Sequence, residues 1–160
     1  MKLGLVLRDL HGAEKSLAEE LLTVSDRHRA DHEVHHVARD LAGWSARHVR
    51  ELAAAGPRYG LDLPDDPPEG SGPLAGLRER ASELLGRRPE PALALLADLR
   101  HLYLSAAGVS LDWVLLAQGA QAAKDTDLLA LTQRCHPQTL RQVRWANATL
   151  KELAPQALTS

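Results

Sequence analysis

Apolar residues recur at alternating steps of four and three along four stretches of this chain, and that spacing predicts four long helices. In the first, over about 3–24, the stripe is Leu3, Leu7, Leu10, Glu14, Leu17, Leu21 and Val24, with one carboxylate among the leucines. The second is expected over about 31–55, with Asp31 suited to the N-cap and Gly56-Pro57 ending it. Its stripe is Val34, Val37, Leu41, Trp44, His48, Leu52 and Ala55, again with one polar member. Five prolines over 57–73, together with Asp65, Asp66, Gly70, Ser71 and Gly72, predict an irregular surface connection. A short helix is expected next, over 74–85, carrying Leu77, Ala81, Leu84 and Leu85.

The third long helix, over about 92–123, starts at Pro91, a residue suited to a first helical turn. Its expected inner face is Leu95, Leu99, Leu102, Tyr103, Ala106, Ser110, Trp113, Ala117 and Ala120. A second apolar row, Leu104, Gly108, Leu111 and Leu115, falls on the opposite side, so this helix needs cover on two faces, from the short helix or from a second subunit. The fourth helix begins at Asp125 or Thr126 and is expected to end near 154, before Pro155. Pro137 inside it predicts a kink or a break. Two helices on a short link, a long connection over 57–91, then two helices on a tight turn describe one all-α domain over 1–160. The architecture is a four-helix bundle with one long crossover.

Composition narrows the partners. The 160 residues are 44% hydrophobic but contain no Phe, so the core has to be built from Leu, Ala and Val with three Trp and two Tyr filling gaps. A net charge of −2 supplies no positive field for nucleic acid or anionic lipid. The single thiol, Cys135, rules out an internal disulfide and suits a reducing compartment. The N-terminal apolar run stops at Arg8-Asp9, too short for a signal-peptide core or a membrane span. A cytoplasmic protein with neither nucleic-acid nor membrane partners is expected.

Candidate chemistry sits where charge interrupts the core. With a turn centred near residue 28, Glu14 should face Trp44 or Ser45, and His48 should lie about 9 Å further along the axis. His28, His32, His35 and His36 crowd the start of the second helix, and His32 and His36 are four apart, the spacing that lets two imidazoles share a divalent ion. Both point away from the apolar stripe, which places them in solvent. Cys135 and His136 are neighbours pointing about 100° apart, which argues for an inert buried thiol over a dyad. Arg141, Arg144 and Trp145 on the fourth helix form a basic, aromatic face suited to a protein interface, with Trp145 expected in solvent.

The run Leu7-Arg8-Asp9-Leu10-His11-Gly12-Ala13-Glu14-Lys15-Ser16-Leu17 resembles the opening helix of the small stress-associated branch of ferritin-like bacterial proteins. That resemblance implies a ferritin-like bundle with Glu14 as a metal ligand. The rest of the ligand set is missing: helix 2 has no Glu-x-x-His opposite Glu14, and no Glu lies between Glu90 and Glu152. Gly43-Trp44-Ser45-Ala46-Arg47-His48 is similar to a helix of DinB-like bundles, which hold one metal with three histidines, but the later His pair is absent. Two functions follow as expectations. The first is a non-enzymatic, cofactor-free bundle acting by assembly, as a homodimer through Leu104, Leu111 and Leu115, or by binding another protein. The alternative is a bundle holding one divalent metal at Glu14, His48 or the His28, His32, His36 cluster.

Overall fold

Every position of the first stripe, Leu3 through Val24 and including Glu14, is buried in α1 (Leu3–Arg27), so the four-three spacing reads the helix face correctly. The computed structural model describes residues 2–66, 68 and 90–160. Among them are three further α-helices, α2 (His32–Ala55), α3 (Pro91–Ala122) and α4 (Thr126–Thr159), and no strand. Asp31 and Asp125 cap α2 and α4, each carboxylate accepting at 3.0 Å from the backbone N–H three residues on. The short helix expected over 74–85 lies outside the described residues.

Neighbouring helices run antiparallel. Ser25 donates to the carbonyl of His35 at 2.6 Å across the α1–α2 turn. At one end of α1, Leu3 packs so closely on α3 that a Cβ on Gly119 would come within 2.6 Å of it. At the other end Asp98 of α3 accepts from Arg27 at 2.9 Å and pairs with His28 at 2.6 Å. Ser110 and His136 join α3 to α4 at 2.8 Å, and Ser45 meets Gln142 between α2 and α4 at 2.9 Å. The helices α2 and α3 therefore sit diagonally and point the same way.

Three expectations are corrected here. Pro137 neither breaks nor ends α4, which continues through Pro155 to Thr159. Pro137 and Gln133 are both on the exposed side, so the carbonyl that loses its partner turns to water. The connection after α2 is regular at first, a 3₁₀ turn at Gly56–Tyr59 closed by Gly60 in the left-handed region (φ 71°). Its Tyr59 hydroxyl donates to Asp125, the α4 cap, and Arg58 pairs with the same carboxylate at 3.1 Å. The Tyr59 and Leu128 hydrogen bonds hold Asp125 below the usual carboxylate range, while burial and the Asp125 charge push Tyr59 up to about 12. On α3, finally, the buried set includes Val109 and Leu116, whereas Tyr103 is exposed.

Asp98 gives the fold a testable acid dependence. Burial pushes this carboxyl up, but its hydrogen bond to His28 and the Arg27 charge outweigh that and leave it lowered. A lowered carboxylate stabilises fully above its unfolded value of about 3.9 and loses that contribution as pH falls through this value towards the lower native one. Asp98→Asn should therefore flatten the fall in melting temperature below about pH 5. An unchanged acid limb, followed by circular dichroism, would show that the contact contributes nothing.

Candidate functional site

The four helices converge on Glu14. This residue and His48 have 0% exposed surface, and His48 Nδ1 lies 2.8 Å from Glu14 Oε1. The expected 9 Å gap does not exist. The α1–α2 turn spans 28–31, centred further along than residue 28, and side chains tilt towards the N-terminus of their own helix. In an antiparallel pair those tilts carry Glu14 away from the turn and His48 back towards it. Ser45 is buried as expected of a neighbour of this seam, and Trp44 is half-buried on its flank.

Two more donors close on the same carboxylate oxygen. Trp113 of α3, itself 0% exposed, donates Nε1–H to Glu14 Oε1 at 2.8 Å, and Thr139 of α4 approaches at 3.4 Å. The Trp113 ring also stands edge-on to His48, with centroids 5.7 Å apart. Behind His48, Nε2 meets Gln138 Oε1 at 2.8 Å, and Arg47 donates to that same oxygen at 3.4 Å, which fixes it as the amide's oxygen. Both ring nitrogens of His48 thus face side-chain oxygens. One turn along, Gln142 donates to the Leu41 carbonyl at 3.0 Å and to Ser45. Glu14 Oε2 and Gln142 Oε1 have no hydrogen-bond partner among the described residues.

A metal fits this arrangement poorly. Only one carboxylate and one imidazole converge, and Trp113 and Thr139 aim N–H and O–H donors at Oε1, which leaves Oε2 as the one carboxylate oxygen open to a cation. Among the described residues no three of His, Cys, Asp and Glu are grouped to hold an ion. Glu51, an acid on α2, is engaged by Cys135, whose Sγ donates to it at 3.1 Å. Burial, then the Glu51 carboxylate, push the Cys135 thiol well above its ordinary range, so it is a buried donor and not a nucleophile. His136 turns instead to Ser110. No family model, curated protein or solved structure matches this chain.

The other sequence candidates are separated from this cluster. His32 and His36 are exposed on α2, their rings stacked at 6.3 Å, while His28 is committed to Asp98 and His35 Nδ1 sits 2.8 Å from the Ser25 carbonyl. Arg141 and Arg144 are exposed on α4. Trp145 is not: it is half-buried against the core with its Nε1 enclosed, so the basic aromatic face loses its aromatic member. On α3, Leu104, Leu111 and Leu115 are 50%, 66% and 58% exposed. Sequence spacing placed Trp113 on the inner face but carried no sign that it would be Glu14's donor. A Trp at the level of a buried acid on a facing helix is the only trace of it.

Proposed function

We propose that this chain is a ferritin-like bundle whose interior has been converted from a metal site to a closed polar cluster, and that it acts by assembly, not by metal chemistry. The long crossover in this reading is supported by where the helices end. Tyr59, just past α2, touches the α4 cap Asp125, whereas Asp98 in the first turns of α3 sits at the opposite end beside Arg27 and His28, so the two helix ends that a crossover would join lie at opposite ends of the bundle. The observation that carries the reading is the Trp113 N–H held 2.8 Å from Glu14 Oε1. That contact, with Thr139 and His48, replaces with hydrogen-bond donors the further carboxylates that a shared metal pair requires. Assembly is supported by the outer row of α3, which puts large apolar side chains in water.

Elemental analysis of protein purified without an affinity tag tests this. The expected result is less than one tenth of an equivalent of iron, manganese or zinc per chain, removed by brief chelation. One equivalent that survives dialysis and is lost in Glu14→Gln would overturn it in favour of a mononuclear centre at Glu14 and His48.

A further inference from the structure

The exposed row on α3 is self-complementary, and we infer that it joins two copies of this chain in an antiparallel α3–α3 contact about a two-fold axis between Val109 and Ser110. This rests on the assembly reading above and adds the geometry. The row is Leu104, Gly108, Leu111 and Leu115. A two-fold at 109.5 sets Leu104 against Leu115 of the second copy and Leu111 over its Gly108, in both directions at once. Gly108 is exposed and an added Cβ there would meet nothing within 4 Å, so it offers an open notch for the opposing leucine and lets the two backbones approach.

Charge and area favour a second copy as the occupant. From Leu104 to Ala122 the exposed residues of α3 are Leu, Val, Gly, Gln and Ala, and the one charged residue of that span, Asp112, is half-buried beside the row, so the row itself carries no charge. Tyr103, Val114 and Leu140 of α4, at 38%, 39% and 36% exposed, widen the row. With Leu104, Leu111 and Leu115 they present roughly 350 Å² of apolar side chain, which at the usual apolar share of an interface corresponds to roughly 600 Å² per chain. Doubled, that reaches the lower edge of a stable specific interface, about 1,200 Å². A groove lined by Arg100, Tyr103, Leu104, Ala146, Asn147 and Leu150 lies beside Leu104, where the opposing Leu115 would arrive.

Cysteine cross-linking reads the register, because the one native thiol is buried. Light scattering at micromolar concentration should give about twice the 17.4 kDa of one chain. Under mild oxidation Leu104→Cys/Leu115→Cys should form a covalent dimer, whereas Leu104→Cys alone should not, since its two copies would stand about 16 Å apart along the axis. Leu111→Glu should weaken association on the order of 100-fold. Cross-linking of Leu104→Cys alone would overturn the antiparallel arrangement, and a dimer without cross-links in the double variant would overturn the register. A monomer indifferent to Leu111→Glu, or a chain that binds neutral vesicles in place of itself, would overturn the assembly reading as well.

Discussion

His48→Leu is expected to cost about 3–5 kcal/mol of folding stability, because it strips the Glu14 carboxylate of its His48 partner inside a site with no exposed surface. Glu14→Leu should cost a similar amount, leaving the His48 ring facing an apolar side chain. The double variant Glu14→Leu/His48→Leu is expected to be more stable than either single one. Both partners of the buried pair are then gone, and the residual penalty is the unpaired N–H of Trp113 and the lost hydrogen bonds to Thr139 and Gln138, about 1–3 kcal/mol. Urea unfolding of the four proteins gives the coupling energy directly, and about 2 kcal/mol or more is expected. Losses that simply add would mean the two side chains act independently, and the account of the core as one paired cluster would be wrong.

Trp113→Ala should be the most damaging single substitution in the chain. Its ring is the largest fully buried side chain, so truncation leaves a cavity costing about 3–5 kcal/mol, and loss of the N–H takes a charge-assisted hydrogen bond worth about 1.5–3 kcal/mol from Glu14. Against a typical total of about 5–15 kcal/mol for a domain, the variant should unfold tens of degrees below the parent or fail to fold. Trp113→Phe separates the two effects. It keeps most of the volume and loses the donor, so about 2–4 kcal/mol is expected. If Trp113→Phe matched the parent in urea, the indole would serve only as packing.

The helix faces were legible in proportion to their contrast. Along α1, apolar and polar residues alternate cleanly, and the stripe from Leu3 to Val24 is the buried face. On α2 the stripe is drawn towards Trp44 and Val37 because they are large and apolar. The buried face lies about one position over, at Ala38, Ala42, Ser45 and Val49, where small side chains let the helix approach its neighbours. The sequence of α3 is apolar nearly all round, and among the described residues it is the one helix long and apolar enough to cross a membrane by length and composition. Its periodicity therefore could not separate the buried Val109 and Leu116 from the exposed Leu111 and Leu115.

The site divides in the same way. Glu14 and His48 stood out as the polar members of two apolar stripes, a signal carried by one chain segment each. That they touch depends on the turn length and on side-chain tilt, small offsets that together amount to several ångströms. Trp113, Thr139 and Gln138 come from α3 and α4, and nothing local in those helices marks them as partners of an acid on α1. Pro137 misled for a related reason: its effect depends on which side of α4 faces water.

Thermal unfolding of the tag-free protein, with chelator and with Fe²⁺, Mn²⁺ or Zn²⁺ added in turn, tests the central claim that this core is complete without metal. A metal at 1,000 times its dissociation constant would stabilise the native state by about 4 kcal/mol, a rise of roughly 8–16 °C for a chain of this size. The closed cluster around Glu14, His48 and Trp113 predicts melting temperatures that agree within about 1 °C in all conditions. A rise of that larger size with any of the three metals, absent in Glu14→Gln, would contradict it.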